Sequence, residues 1–350
     1  MLDGISDASL VALFGFGGGL LLGLAARIGR FCTLGAIEDT LYQGSSIRLR
    51  MWGVAIGVAI IAVFALSAIG QFDPSQSIYH LTPWSPFATI FGGLLFGYGM
   101  SLAGTCGFGA LARLGGGDLR SFVIVLVMGI AAYVMLSGPL AGMRVGLIAA
   151  TDVQNGPVAY SELLGRLTGL ATPIAGLLIG AGILIAALWS APFLTNGSAL
   201  FWGAVVGLTI VSGWIGTQWV AQHGFTPQPV LSHTFAAPLG ETTLFLMTSS
   251  GGGLSFGVGS VFGVLAGAFC GSLIKGHFRW EACEDPRELK RQILGAVCMG
   301  FGAVLAFGCT IGQGISAFSV LSLSAPITFA AIFAGAALGL RQLITGFASP

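Results

Sequence analysis

The chain has 350 residues, 55% of them hydrophobic and 8% charged, with a net charge of +1 and a mean hydropathy of +0.92. Soluble globular domains carry about 25% charged residues, so this composition excludes an ordinary soluble domain and describes an integral membrane protein in a lipid bilayer. A balance so close to neutral gives no reason to expect a nucleic-acid partner.

A spanning helix needs about 20 apolar residues. Stretches of that kind recur in chain order near 8–28, 51–70, 87–107, 120–138, 168–191, 199–221, 242–272, 293–312 and 325–345. The expected fold is therefore all-α, with about nine transmembrane helices in one domain over 1–350. Asp3 and Asp7 stand where a cleaved leader would be basic, and the first apolar stretch runs straight into Arg27 and Arg30, so no signal peptide is expected.

Short loops rich in Lys and Arg stay in the cytoplasm. Arg48, Arg50, Arg113, Arg120, the 273–291 loop with Lys275, Arg279, Arg287, Lys290 and Arg291, and Arg341 mark that side, while the 71–86 loop has no basic residue. Together they predict an N-terminus outside and a C-terminus inside. The 138–167 loop runs against the rule, because it falls outside yet carries Arg144 and Arg166.

Sliding the chain on itself exposes two matches. Gly19, Gly23 and Gly29 align with Gly203, Gly207 and Gly213, which puts Gly216 opposite Cys32. Gly97, Gly99, Cys106 and Gly109 align with Gly300, Gly302, Cys309 and Gly312. Halves at about 8–138 and 199–345, joined by a linker span at about 168–191, would then insert with opposite orientation. Inverted repeats of this kind place a substrate site near the bilayer midplane, where discontinuous helices meet.

Three cysteines lie among glycines at the edges of apolar segments: Arg30-Phe31-Cys32, Thr105-Cys106-Gly107-Phe108-Gly109 and Gly308-Cys309-Thr310-Ile311-Gly312-Gln313-Gly314. A broken membrane helix is tolerated only where it is buried in protein or lines a cavity. Its free backbone N–H groups and partial positive charge attract anions, and a thiol adds a weak, polarizable donor and a soft acceptor. Substrate contact is therefore expected at Cys32, Cys106 and Cys309, with Gly107, Gly109 and Gly312 shaping the breaks and Gln313 and Arg30 as further candidates.

The remaining features read as structural. Cys270 and Cys298, within apolar spans, read as packing residues, and Cys283 as incidental in a charged loop. Glu38 and Asp39 read as a turn or cap. Gly-x-x-x-Gly pairs such as Gly19/Gly23, Gly93/Gly97 and Gly203/Gly207 read as helix-packing faces. Trp84, Trp214, Trp219 and Trp280 read as interfacial anchors. The six cysteines form no C-x-x-C pair, and His80, His223, His233 and His277 form no ligand spacing, so no metal or other cofactor is expected.

The Gly-Arg-Phe-Cys of 29–32, the Phe-Gly-x-Gly-x-x-Leu-x-Gly-x-Cys-x-x-Gly run of 96–109, the Gly-x-Phe-Arg-Trp of 276–280 and the Phe-Gly-Cys-Thr-x-Gly run of 307–312 resemble the YeeE/YedE family of sulfur-compound transporters. The resemblance implies an hourglass of spanning and short re-entrant helices, and thiosulfate uptake across the bacterial inner membrane. It implies a relay of S–H to sulfur hydrogen bonds along Cys32, Cys106 and Cys309, with a small cytoplasmic sulfur carrier of the TusA kind as partner. Many relatives read Arg-Gly-Arg-Phe-Cys where this chain has Ile28 before Gly29, so one entrance charge is missing. The residues themselves leave two other classes open: a membrane thiol oxidoreductase, and a passive channel for a small neutral solute.

Overall fold

The computed structural model describes residues 6–153, 159–249, 253–282 and 285–346. Among them sixteen α-helices follow in order: α1 (Asp7–Arg27), α2 (Thr33–Tyr42), α3 (Ile47–Ala68), α4 (Ile78–Leu81), α5 (Pro86–Ala103), α6 (Gly107–Gly115), α7 (Leu119–Leu136), α8 (Ala141–Thr151), α9 (Tyr160–Thr168), α10 (Thr172–Leu188), α11 (Ala191–Leu194), α12 (Gly197–His223), α13 (Ala237–Thr248), α14 (Phe256–Ile274), α15 (Pro286–Leu305) and α16 (Ser324–Thr345). A 3₁₀ turn at Pro74–Gln76 and a π-helical segment at Gly312–Ala317 complete the set.

The protein is an all-α, multi-pass membrane protein. Seven helical stretches, with α5 and α6 taken as one, are long and apolar enough to cross a bilayer, and an eighth is reached if α9 and α10, bent by 112° at their break, form one span. The ninth expected segment is α15, whose 20 residues begin with Arg287, Glu288, Lys290 and Arg291. The expected 242–272 span divides into α13, which ends at Thr248, and α14, which begins at Phe256.

Helix packing here rests on small residues, since lipid tails remove the hydrophobic drive between helices and close van der Waals approach replaces it. Gly15, Gly19 and Gly23 of α1 lie against the backbone of Phe256, Ser260 and Val264, while Gly259, Gly263 and Gly267 of α14 lie against that of Ala12, Phe16 and Leu20. Each helix thus presents a glycine every four residues to the other's carbonyls. Gly97 of α5 against Ile332, and Gly203 and Gly207 of α12 against Met51 and Ala55, do the same, as the Gly-x-x-x-Gly spacing predicts.

A long helix, a break, a short helix and a second long helix recur four times: α1–α2–α3, α5–α6–α7, α12–α13–α14, and α15 with the π-containing 310–319 segment and α16. The packing partners pair off accordingly. Helix α1 packs on α14 as α12 packs on α3, α5 packs on α16 as α15 packs on α7, and α1 meets α12 as α5 meets α15.

Several sequence expectations need correction. Gly216 sits inside α12 facing Phe14, so it occupies no break and is not the counterpart of Cys32. Trp214 is fully buried and donates its indole N–H to Ser319 at 2.9 Å, so it is a core residue and not an interfacial anchor. Cys270 is exposed on α14 while Cys298 is half-buried. Cys283 lies outside the described residues. The anomalous Arg144 has a local explanation: its guanidinium donates to the carbonyls of Met135 and Leu136 at the C-terminus of α7, a cation placed on the negative end of a helix dipole.

Candidate functional site

Each cysteine caps a break, and the local sequence explains why the chain stops there. Helix α5 ends at Gly104, in the left-handed conformation (φ +70°), which glycine adopts without steric cost. Two residues later Cys106 is the N-cap of α6, its Sγ accepting the Gly109 N–H at 3.4 Å. Cys32 is the N-cap of α2 and accepts the Gly35 N–H at 3.5 Å. Arg30, just upstream, carries a positive φ of +56°. After α15, Phe307 turns left-handed (φ +56°) and Cys309 begins the third break.

Cys309 takes its contacts from elsewhere. Its Sγ accepts the Phe235 backbone N–H at 3.2 Å and lies 3.7 Å from the Thr234 hydroxyl. The 224–236 segment before α13 therefore reaches the cysteine at the other break of its own half. The Phe235 carbonyl lies where a Cβ on Gly107 would meet it at 2.7 Å, and its ring tilts against that of Phe108 with centroids 5.2 Å apart. Phe235 thus stands between Cys106 and Cys309.

Cys106 lies within electrostatic reach of both Cys32 and Cys309. Cys106 and Cys309 are each 1% exposed, and Cys32 packs against the same core. Each sulfur accepts a backbone N–H, so a thiol hydrogen remains available to donate; at Cys309 either the thiol or the Thr234 hydroxyl can be the donor in their mutual contact.

The other predicted residues fall into two groups. Gly107, Gly109 and Gly312 are forced to be small: a Cβ would meet the Phe235 carbonyl, the Thr105 hydroxyl and the Thr234 hydroxyl respectively. The Gly312 carbonyl also accepts the Tyr79 hydroxyl at 2.9 Å. Gln313 is fully buried, yet its amide nitrogen donates to the Ala306 and Phe307 carbonyls at 3.0 Å and its oxygen accepts from Ser324 at 3.1 Å. That side chain is committed to closing the end of α15 and holding α16. Arg30 does not join the thiols. It lines a separate cavity of about 400 Å³ with Arg48, Lys275, Asn196 and Asp39, where Arg48 pairs with Asp39 at 3.2 Å.

A second cavity has a volume of about 420 Å³. Tyr79, Thr234, Ala236, Phe307 and Gly308 line it beside Cys309, and Glu241 is its one carboxylate. Among the described residues no group of His, Cys, Asp and Glu is arranged to hold a metal.

Sequence reading missed the 232–236 segment, which lies in a polar-looking connection. His233, read there as a loop residue without a role, is fully buried. It hydrogen-bonds Ser260 at 2.6 Å, while its carbonyl accepts from Ser316 at 2.7 Å, and so it pins the segment that delivers the Phe235 N–H.

A multi-pass helical protein with thiols at breaks between spanning helices, and cavities lined by residues next to those breaks, has the architecture of a membrane transporter. The chain belongs to the sulphur transport family, whose model matches residues 28–338. It is a transporter and not an enzyme. It is similar to the thiosulfate transporter TsuA of Escherichia coli (strain K12), 27% identical over 328 residues that cover 85% of this chain and 84% of that protein. It is also similar to the thiosulfate transporter TsuA of Spirochaeta thermophila, 25% identical over 319 residues that cover 87% and 91%.

Proposed function

We propose that the protein takes up thiosulfate, or a closely related sulfur oxyanion, across the bacterial inner membrane. The N-terminus lies outside and the C-terminus inside. The short helices α2, α6, α13 and the 310–319 segment are re-entrant, and the two halves are inverted repeats whose breaks meet at the waist of an hourglass. By helix order the fourth break, opposite Cys32, falls at Ala236. The observation that carries this reading is the convergence of three thiols from three separate breaks, each with its sulfur anchored by a backbone N–H.

The route follows from the two cavities. An anion entering the Tyr79-lined vestibule meets Cys309 first, then Cys106, then Cys32, and leaves into the cavity of Arg30, Arg48 and Lys275. Each thiol donates S–H to the terminal sulfur of thiosulfate, and the helix N-termini offset its charge. No covalent bond forms. The basic loops at 112–120 and 273–291 are where a TusA-like carrier would dock.

Uptake of ³⁵S-labelled thiosulfate by cells expressing Cys106→Ala tests the relay. Transport is expected to fall to background, with the variant present in the membrane at the wild-type level. Undiminished uptake would remove the thiols from the route.

A further inference from the structure

Two of the three thiols are followed directly by a threonine, Thr33 after Cys32 and Thr310 after Cys309. Both threonines are buried, at 2% and 0% exposure, and among the described residues neither hydroxyl has a partner at ordinary hydrogen-bond geometry. Buried polar side chains are nearly always partnered, so two orphans at one register beside the thiols need an explanation.

The helical threonines of this chain show what is missing. Thr40, Thr209, Thr242, Thr243, Thr248, Thr328 and Thr345 each donate to the carbonyl four residues back. Thr33 and Thr310 begin their helical segments, so no carbonyl of a preceding helical turn lies beneath them. Position has left their hydroxyls unspent. The Thr310 hydroxyl stands beside the Cys106 thiol, close enough for a weak hydrogen-bonding interaction with its sulfur but short of ordinary hydrogen-bond geometry, and its chain neighbour is Cys309. It therefore lies where a ligand handed from Cys309 to Cys106 has to pass.

We propose that Thr310, with Thr33 as its counterpart beside Cys32, donates its hydroxyl to the oxygens of the transported anion while the cysteines hold the terminal sulfur. The inference rests on the transport reading above. It makes the two threonines the selectivity determinants for a sulfur oxyanion over oxygen-free sulfur species such as hydrosulfide. Thiols alone would bind any soft sulfur; hydroxyls in register with them require oxygens at the other end of the ligand.

The test uses the full-length protein in proteoliposomes, with ³⁵S-thiosulfate uptake as readout and hydrosulfide as competitor at pH 8. Wild type and Cys106→Ala come first: no saturable uptake by wild type, or full uptake by Cys106→Ala, would sink the transport reading before the threonines are reached. Given an active wild type, Thr310→Val is expected to raise the half-saturating thiosulfate concentration about tenfold or more, the weight of a hydrogen bond to a charged group. Inhibition by hydrosulfide is expected to stay within about twofold, since its contacts are to sulfur only. Thr310→Ser is expected to recover thiosulfate affinity to within about threefold of wild type, because the hydroxyl returns. A Thr310→Val protein that keeps wild-type thiosulfate affinity, or loses thiosulfate and hydrosulfide in parallel, would overturn the proposal. Elution profile and melting temperature establish folding for every variant. If Thr310→Val does not fold, Thr33→Val against Thr33→Ser makes the same contrast at the other thiol.

Discussion

Replacing Gly107 by alanine puts a methyl group in place of a hydrogen at a point where two halves of the molecule touch. The new Cβ would lie 2.7 Å from the Phe235 carbonyl oxygen and 2.8 Å from Met128 Sδ. The thioether is the end of a flexible side chain and can rotate away; the carbonyl is backbone and can move only with its segment. Restoring an ordinary carbon–oxygen contact of roughly 3.3 Å requires a retreat of about 0.6 Å. The same residue's N–H holds Cys309 Sγ at 3.2 Å, so the shift misplaces that donor relative to the thiol. Overpacking of this kind costs about 1–3 kcal/mol, partly offset by roughly 1 kcal/mol of helix propensity gained over glycine. A 1 Å misplacement costs about a hundredfold in rate, so a shift of this size should slow thiosulfate uptake roughly tenfold. The assay is the initial rate of ³⁵S uptake at saturating substrate, normalised to protein in the membrane, with a melting curve in detergent. Adding Met128→Ala removes the sulfur contact and leaves the carbonyl contact, so Gly107→Ala/Met128→Ala should remain slow. Wild-type rates in Gly107→Ala, or recovery in the double variant, would refute the argument that Phe235 couples Cys106 to Cys309.

Glu241 places the one carboxylate in the Tyr79-lined cavity, with Ser255 as its hydrogen-bonding neighbour. Glu241→Gln removes a like charge from the path of an anion, worth about 1 kcal/mol in a hydrated vestibule, and should lower the half-saturating thiosulfate concentration about fivefold; an unchanged or raised value would place the entrance elsewhere. Arg50 donates to the carbonyls of Ala186, Ala187 and Trp189 at 3.1 to 3.2 Å, in the last turn of α10 and at its C-cap. Arg50→Ala should lower the melting temperature by the equivalent of about 1 kcal/mol, the usual weight of a cation at a helix C-terminus, while leaving thiosulfate affinity alone. A melting curve that matches wild type would show the carbonyls to be as well served by water.

Composition alone made the membrane class legible, because no soluble domain has so few charges. The three breaks were legible because glycine and cysteine cluster there, and the Gly-x-x-x-Gly faces because close helix packing in lipid admits few other residues. What stayed hidden was contact between distant segments. Nothing local marks Thr234-Phe235-Ala236 as lying against Cys309, since an N–H donor is common to every residue but proline. The first glycine alignment paired Cys32 with Gly216 because glycines that pack helices recur as regularly as glycines that break them. The helix order shows the difference, with Gly216 inside α12 and the break twenty residues later. Gln313 misled for a related reason: a buried amide looks like a substrate contact until the open carbonyls at the end of α15 are seen to take its hydrogens. The Cys-Thr pairs at 32–33 and 309–310 were visible, but only the structure reveals that both hydroxyls lack partners at ordinary hydrogen-bond geometry among the described residues.

The charges flanking the proposed route bear on energetics. On that reading thiosulfate, a dianion, moves toward a cytoplasm that is electrically negative. Each elementary charge moved across 100 mV is worth about 2.3 kcal/mol, so the dianion climbs about 4.6 kcal/mol per 100 mV. The cavity of Arg30, Arg48 and Lys275 attracts the anion as it leaves the thiols, but a fixed charge acts equally on entry and exit. It lowers the barrier between the two sides and leaves the difference between them unchanged. Net uptake through such a site therefore follows the removal of thiosulfate at the cytoplasmic mouth, or the movement of a cation with it. Of the two, a sink at the mouth asks nothing further of the thiols, because a relay of neutral S–H donors binds the anion without holding a coupling ion. On the proposed reading, the loops at 112–120 and 273–291 are where an acceptor acting as that sink would dock.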